Sequence, residues 1–222
     1  MIGTKYHKIQ SIFKRDPSTG AFTEEFSRPE FELLQNVPWD WSEKVDGTNI
    51  RITLAPAEGG PVRLIGGRTD RAQIPASLLQ RLEELFPIEK LLNHFDEPQV
   101  EEQTVILFGE GIGPKIQNVG SRYRKETPDF ILFDVRVGRW WLKREDVFGV
   151  AESLGLQSAP NINGTGTLHE AIDFVKDGFL SAVSEDKQLW AEGLILRPKC
   201  ELFTRSGERV ITKVKTKDFK NV

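Results

Sequence analysis

The sequence predicts an α+β fold, because short strand patterns recur along the chain and amphipathic helices separate several of them. Residues 49–54 alternate apolar and polar side chains, as a half-buried strand does, and residues 104–108 form a nearly continuous apolar run. Residues 75–86 instead place Leu78, Leu79 and Leu82 on one helical face. A chain of 222 residues is long enough to bury a substantial core, and we expect one domain over residues 1–222.

Turn and helix-terminating residues separate these elements. A Gly-Gly-Pro turn ends the hairpin connection 55–61. Gly155 and Gly178 follow the second and third predicted helices, at the position where glycine commonly ends a helix. Asn and Gly are frequent in residues 160–166, which predicts a surface loop. The predicted strands are residues 49–54, 62–65, 104–108, 130–137, 139–142, 193–196 and 210–214, and the predicted helices are residues 75–86, 144–154 and 168–176.

The composition is that of a soluble globular protein. Hydrophobic residues make up 38% and charged residues 28% of the chain, and no apolar run approaches the roughly eighteen residues of a membrane span. The first residues lack the apolar centre of a secretory signal. The single cysteine, Cys200, excludes an intrachain disulfide and fits a reducing compartment. We therefore expect a cytoplasmic protein without membrane contact.

Positive charge is concentrated at the C-terminal end. The net charge is −3, but residues 197–222 contain eight Lys and Arg against three Asp and Glu. Such a segment neutralises the phosphates of ATP or of a nucleic-acid backbone, or it is simply solvated.

One lysine stands beside a carboxylate and an amide in residues 43–49, Glu-Lys-Val-Asp-Gly-Thr-Asn. A lysine amine attacks phosphorus only when it is unprotonated, and the ordinary lysine pKa of about 10.4 makes that form scarce at neutral pH. Neighbouring cations, a metal ion or burial lower such a pKa. Lys44 is therefore a candidate nucleophile for nucleotidyl transfer. Taken alone, the same residues also fit a solvated β-turn at Asp46 and Gly47.

The pattern Lys-x-Asp-Gly-x-Asn resembles motif I of the covalent nucleotidyltransferases, which comprise RNA ligases, DNA ligases and mRNA capping enzymes. Asn49 favours the RNA ligase 2-like group, since DNA ligases and capping enzymes generally carry arginine there, and residues 109–117 are similar to the Gly-Glu-x-x-Gly-x-x-Ile-Gln segment of that group. The resemblance implies a nucleotidyltransferase (adenylation) domain of mostly antiparallel β-sheets with flanking helices, similar to ATP-grasp folds. Further segments resemble motifs Ia, III, IIIa, IV and V in family order, at residues 66–69, 108–111, 130–134, 191–197 and 211–215.

The resemblance also implies a role for each matching residue. Lys44 would form a lysyl-AMP from ATP, Glu192 would hold Mg²⁺ or Mn²⁺, and Lys213 and Lys215 would neutralise phosphoryl oxygens. The implied nucleotide-binding residues are Glu43 at the base edge, Asn49 at the phosphates or the 3′ end, Arg68 at the ribose or the incoming phosphate, Glu110 at the ribose and Phe133 stacked on adenine. Phe130 and Tyr123 are the alternative stacking residues.

The activity implied is ATP-dependent ligation. AMP would pass from the lysine to a 5′-phosphate end, and a 3′-hydroxyl would displace it, which seals RNA or a nicked duplex during repair. RNA is the preferred partner. Motif V ends shortly before Val222, so we expect no separate C-terminal domain, and a protein partner or a homodimer would complete the substrate groove. The alternatives are a DNA nick ligase, a GTP-dependent capping-type guanylyltransferase and a non-catalytic nucleotide- or RNA-binding module.

Two aromatic or basic features stay open. Residues 122–125, Arg-Tyr-Arg-Lys, suit contact with an RNA backbone or form a solvated loop. Trp39, Trp41, Trp140 and Trp141 pack in the core or stack on bases.

Overall fold

The computed structural model describes residues 5–219 and confirms the α+β fold of mostly antiparallel sheets. In chain order, the strands are β1 (Gln10–Ser11), β2 (Phe13–Arg15), β3 (Phe22–Phe26), β4 (Trp39–Lys44), β5 (Thr48–Ala55), β6 (Val62–Gly67), β7 (Val105–Ile112), β8 (Asp129–Val137), β9 (Trp140–Trp141), β10 (Gln157–Ser158), β11 (Asn161–Gly166), β12 (Gly193–Pro198) and β13 (Thr212–Lys215). The α-helices are α1 (Pro29–Leu33), α2 (Ala76–Leu85), α3 (Ile88–His94), α4 (Gly120–Tyr123), α5 (Arg144–Ser153) and α6 (Leu168–Asp177).

The chain forms two compact units. Unit 1 contains Asp46–Ser158 together with residues 5–6, and unit 2 contains His7–Val45 and residues 159–219. Neither unit is a continuous segment, because the chain leaves unit 2 after Val45 and returns to it after Ser158. The expectation of a single domain over residues 1–222 stays a prediction. Within residues 5–219, no helix has the length and apolar character needed to cross a membrane.

Unit 1 is built on one sheet with the strand order β10-β8-β7-β5-β6, and β9 pairs with β8. All of its pairs are antiparallel except β10 with β8. The alternation seen in the sequence of β5 puts Ile50, Ile52 and Leu54 into a core that α2 covers through Leu78 and Leu82.

Unit 2 is built on a second sheet with the strand order β1-β13-β12-β4-β11. β12 lies between β4 and β13 and is antiparallel to both, whereas β1 runs parallel to β13. Helix α6 contributes Leu168 and Ile172 to the core of this unit, which also contains Leu194, Trp39 and Trp41. These two tryptophans therefore pack in the core.

The prediction of a loop at residues 160–166 was wrong. Residues 161–166 form β11, which pairs antiparallel with β4 through an irregular register. Asn163 and Gly164 adopt positive φ angles of 54° and 78°, which Asn and Gly tolerate. The turn-forming residues thus mark an irregularity inside an edge strand rather than the absence of a strand.

Candidate active site

Four predicted site residues come together in the sheet of unit 2. On the central strand β12, Gly193 pairs with Lys44 of β4 on one side and with Lys215 of β13 on the other. Lys213 lies two residues before Lys215 and therefore on the same face of β13. Glu192 immediately precedes Gly193. Three neighbouring strands thus bring the side chains of Lys44, Glu192 and Lys215 close together.

Glu192 joins two of these lysines. One carboxylate oxygen, Oε2, accepts a hydrogen bond from Lys44 Nζ at 2.5 Å, and the other, Oε1, lies 2.5 Å from Lys215 Nζ. The three side chains are only 14–21% exposed. Burial by itself raises the pKa of the Glu192 carboxyl, but the two lysines outweigh it and hold this pKa below its ordinary value. Glu192 is therefore an anion held between two cations.

Gly193 is required for this arrangement of strands. Its φ angle is +151°, and a Cβ atom at this position would clash with the carbonyl oxygen of Val214. A side chain here would separate β12 from β13 and move Lys215 away from Glu192.

The third lysine of the cluster, Lys213, has a lowered pKa. Burial, followed by the positive charges of Lys215 and Lys44, lowers the pKa of Lys213 to about 8. Lys8 adds to the same effect from the segment before β1. The sequence analysis missed Lys8, because only the parallel pairing of β1 with the last strand brings that segment near Lys213.

The titration of Lys213 leads to a pH-dependent prediction. Because Lys213 is charged below a pH of about 8 and loses this charge above it, ATP affinity is expected to fall by about tenfold as the pH rises from 7 to 9.5. Lys213→Arg keeps the charge and should flatten this profile, which isothermal titration calorimetry would measure. Lys199→Arg, a change of an exposed lysine, should retain the wild-type slope. Equal slopes for wild type and Lys213→Arg would contradict the assignment.

Glu43 lies on the opposite face of β4 from Lys44 and is only 2% exposed. Its carboxylate accepts hydrogen bonds from Ser181 Oγ at 2.5 Å and from the backbone N–H of Ala182 at 2.8 Å. Burial raises the pKa of Glu43, against the opposing effect of these hydrogen bonds and one from Val183. Contact of Glu43 with a base edge stays a prediction, and the base would have to reach a carboxylate that is only 2% exposed and already accepts three hydrogen bonds.

Glu43→Ala is expected to lower the free energy of unfolding by about 2–3 kcal/mol, because it leaves several buried donors without an acceptor. With Glu43→Gln, the stability difference from wild type should shrink as the pH rises. The raised pKa means that the contribution of Glu43 is complete below its ordinary pKa of 4.5 and is lost as the pH rises through the folded-state value. Chemical denaturation across this range tests both statements. Glu32→Ala, on the exposed side of α1, serves as the control, and an equal loss in both alanine variants would disprove the anchoring role.

Unit 1 carries the other predicted nucleotide-binding residues. Asn49 of β5 and Glu110 of β7 are directly paired across the sheet. The side-chain oxygen Oδ1 of Asn49 is buried and has no hydrogen-bond partner among the described residues. Such an acceptor suits a hydroxyl group or a water molecule, whereas the amide nitrogen suits a phosphate. Arg68 is exposed directly after β6.

Phe133 occupies a β-bulge. Phe108 pairs with Asp134 and Gly109 pairs with Leu132, so Phe133 is the extra residue of β8. The ring is partly exposed and lies 5.1 Å from the ring of Tyr6, centroid to centroid, in an edge-on arrangement. Tyr6 also donates a 2.8 Å hydrogen bond to the buried carboxylate of Asp134. Tyr6 is thus a supporting residue that the sequence analysis missed.

The two alternative stacking residues are packed inside unit 1. Phe130 is 1% exposed and lies 5.1 Å from Phe86, centroid to centroid. Tyr123 is also 1% exposed, and its hydroxyl accepts a hydrogen bond from the backbone N–H of Asp46 at 3.2 Å. Phe133 is therefore the most accessible of the three candidate rings.

The Asp46-Gly47 turn of motif I is fixed to the loop after β7. Besides the bond from Asp46 to Tyr123, Gln117 Nε2 donates to the carbonyl of Gly47 at 3.0 Å. Gln117 itself has a φ of +54°, which is uncommon for a residue with a side chain. Gln117 ends the segment that resembled the RNA ligase 2-like group, but its role was not anticipated.

In the basic run 122–125, one arginine is bound within unit 1 and two other basic residues are exposed. Arg124 donates a hydrogen bond to Asp129 at 3.3 Å and also contacts Gln157, so it stabilises unit 1. Arg122 and Lys125 are exposed. The described C-terminal segment ends at Phe219, so Lys220 of the basic tail lies outside the described residues.

The predicted site residues therefore fall into two groups, each described within its own unit. Unit 2 contains Glu43, Lys44, Glu192, Lys213 and Lys215, and unit 1 contains Asn49, Arg68, Glu110 and Phe133. Across residues 5–219, no group of three or more His, Cys, Asp or Glu side chains has the arrangement of a metal site.

Comparison with known proteins identifies the family of the chain. The family model described as RNA ligase matches residues 37–215. No curated protein matches the chain. The chain is similar in structure to the RNA ligase of Naegleria gruberi. A variant with ATP and manganese gives a TM-score of 0.64 at 16% identity, covering 97% of this chain and 64% of that one. The same ligase with pyrophosphate gives 0.61 at 17% identity, covering 96% and 62%.

The chain spans less than two thirds of the length of these structures, and at such identities the likeness establishes the fold. The family model covers most of the chain, from the residues just before β4 to the end of β13, and thus includes all nine predicted site residues. The chain belongs to the RNA ligase family.

Proposed function

We propose that the protein is an ATP-dependent RNA ligase in which Lys44 forms a covalent lysyl-AMP intermediate. The observation that carries the proposal is the junction of Lys44, Glu192 and Lys215 across three adjacent strands. Lys44 Nζ would first lose a proton to solvent and then attack the α-phosphorus of ATP, so that a phosphorus–nitrogen bond forms, the bond to the β-phosphate breaks and pyrophosphate leaves.

The remaining residues of this cluster would stabilise the negative charge of the transferred phosphoryl group. Each displacement at phosphorus increases charge on the phosphoryl oxygens, so preplaced cations lower the barrier. Lys213 and Lys215 supply two such cations on one face of β13. Glu192 keeps the amine of Lys44 in a fixed position through its Oε2 atom.

A divalent metal ion fits this donor set through Glu192. Magnesium is commonly held by one or two carboxylates together with substrate phosphates and water, so one carboxylate beside bound ATP is sufficient. When bound, such an ion would supply further positive charge to the phosphates. The N. gruberi structures with ATP and manganese and with AMP and manganese support the use of ATP and a divalent metal.

The unit 1 residues would bind the nucleoside. The partly exposed ring of Phe133 would stack on adenine, and Glu110 would accept hydrogen bonds from the ribose hydroxyls. Asn49 and Arg68 would contact the phosphates or the ribose. Glu43 would have two roles. It anchors residues 181–183 through its carboxylate, and it would contact the base edge.

After adenylylation, AMP would be transferred to a 5′-phosphate end, and a 3′-hydroxyl would then displace it to form the phosphodiester. The RNA ligase family favours RNA as the substrate. We include in the proposal that a protein partner or a second copy completes the groove for the nucleic acid, and that the reaction takes place in the cytoplasm.

The decisive experiment incubates the protein with α-labelled ATP and magnesium, separates it under denaturing conditions, and then adds 5′-phosphorylated RNA with a 3′-hydroxyl end. A protein-bound label that RNA removes, with formation of joined RNA, is the expected result. Labelling by GTP instead of ATP would establish a capping-type enzyme, and transfer only to nicked DNA would establish a DNA ligase. ATP binding without any label, in protein free of preloaded AMP, would leave a binding module and overturn the proposal.

A further inference from the structure

Two large apolar side chains lie exposed next to each other in unit 2. Trp190 is 52% exposed and Leu180 is 50% exposed, and the two residues face each other in an antiparallel bridge. Backbone hydrogen bonds of 2.8 Å from Ser181 to Leu189 and from Ala191 to Phe179 close this hairpin on both sides of the pair. We call the exposed face of Leu180 and Trp190 the Trp190 platform.

The platform is supported from below. Ser181, Leu189 and Ala191 are buried, at 5%, 4% and 2% exposure. The carboxylate of Glu43 binds the same hairpin through Ser181 and Ala182. The exposure of Trp190 therefore belongs to a hairpin that is hydrogen-bonded through its backbone and anchored by buried residues on its inner side.

Contacts connect the platform to the end of β13. Thr216 donates from its backbone N–H to the carbonyl of Glu192 at 2.9 Å and from its hydroxyl to the carbonyl of Ala191 at 3.2 Å. A Cβ atom on Gly178 would lie 3.0 Å from the ring of Trp190 and 3.5 Å from Thr216. Trp190 thus lies beside the backbone that leads from Lys215 to Lys217.

Charged residues of both signs lie in the segments around the platform. Those on the side of β13 include lysines, which suit a polyanion. Lys215 and the exposed Lys217 flank Thr216, and Lys187 is exposed in the turn of the hairpin. The acidic residues of the same segments are Asp177, Glu185, Asp186, Glu192 and Asp218, of which Glu192 is paired with Lys215 at 2.5 Å and Asp218 with Arg15 at 2.6 Å. Lys217 follows Lys213 and Lys215 in the chain, the two lysines that the proposed function assigns to phosphates.

We propose that the Trp190 platform stacks on a base of single-stranded RNA next to the end being joined, while Lys217 contacts the RNA backbone. This inference rests on the proposed function, because it places the RNA strand beside the lysine cluster. An indole ring accepts any base by stacking, and a neighbouring lysine supplies the phosphate contact that a purely apolar partner would not need. The combination of an exposed aromatic face with lysines of the phosphate site favours RNA over a protein partner.

RNA binding by Trp190→Ala tests the proposal, with Trp140→Ala as the matched control, since Trp140 is 74% exposed in unit 1. Fluorescence anisotropy with a short 5′-phosphorylated single-stranded RNA should show about tenfold weaker binding for Trp190→Ala. Trp190→Phe should restore most of the affinity, and Trp140→Ala should bind as wild type. Lys217→Ala should reduce the slope of log affinity against log salt by about one. Unchanged affinity in Trp190→Ala, or equal losses in both alanine variants, would overturn the proposal.

A second measurement uses the wild-type chain and does not depend on the folding of a variant. RNA that contains 5-iodouridine is irradiated with the protein, and the crosslinked peptide is identified by mass spectrometry. A crosslink at the peptide containing Trp190 is expected, and crosslinks confined to other peptides would overturn the platform. Neither the anisotropy nor the crosslinking measurement requires catalysis. A negative result in them would therefore reject the platform alone, whereas a failure of ATP labelling would reject the proposed function.

Discussion

Lys44→Ala is expected to abolish the covalent ATP-derived label, because the only group proposed to bond to the α-phosphorus is removed. Lys44→Arg should be equally inactive, since the guanidinium group stays protonated and cannot act as a nucleophile. Denaturing electrophoresis after incubation with α-labelled ATP and magnesium measures the effect directly. Lys199→Ala removes an exposed lysine after β12 and should label as wild type. A band of normal intensity in Lys44→Ala would place the nucleophile elsewhere.

Loss of label in Lys44→Ala has to be separated from loss of fold. In this variant Glu192 keeps Lys215 as its partner, 2.5 Å away. The lost pair with Lys44 is partly exposed, so the free energy of unfolding should change by only about 1 kcal/mol. Denaturant unfolding of Lys44→Ala and wild type would show this small difference.

Glu192→Gln is expected to reduce the rate of label formation by about 100-fold. Glutamine has nearly the same size, but its amide has no charge to balance Lys44 and Lys215, and its nitrogen donates where the carboxylate oxygen accepts. The Lys44 amine would lose its fixed position, and the proposed metal ion would lose its protein ligand. Initial rates of labelling at several magnesium concentrations measure both effects.

The dependence on magnesium separates two roles of Glu192. Partial recovery of Glu192→Gln at high magnesium indicates a metal ligand, whereas a constant deficit indicates that Glu192 mainly positions Lys44. Glu208→Gln changes an exposed carboxylate paired with Arg28 and is the matched control. A rate for Glu192→Gln within about twofold of wild type would contradict both roles, given the size of effect expected for a preorganised charge.

The sequence predicted which residues form the unit 2 cluster, whereas it did not predict their supporting contacts. Lys44, Glu192 and the Lys213–Lys215 pair belong to motifs whose residue types suit the proposed phosphoryl transfer. The partners of Glu43 lie far away in sequence, in a hairpin that has no motif, and the approach of Lys8 to Lys213 depends on the pairing of the first strand with the last. Such contacts follow from tertiary pairing, which local patterns do not record.

The strands show the same division. β5 was predicted closely because apolar residues alternate along it, although the structure also buries Arg51 and Thr53 on its other face. β11 was missed because its stability comes from backbone pairing with β4, to which Asn and Gly contribute little intrinsic preference. The bulge at Phe133 also depends on a partner strand, since it exists only as a mismatch in register with β7.

Because Gly193 lies between them, the backbone of three strands sets the distance between Lys44, the proposed nucleophile, and Lys215. Lys44 and Lys215 stand on either side of this glycine, and neighbouring strands are spaced by about 4.8 Å, so the two α-carbons are separated by roughly two strand spacings. Deletion of one residue inside β4, β12 or β13 would turn the following side chains to the opposite face. Among relatives of this chain, we therefore expect insertions and deletions in the connecting loops and unbroken length in these three strands.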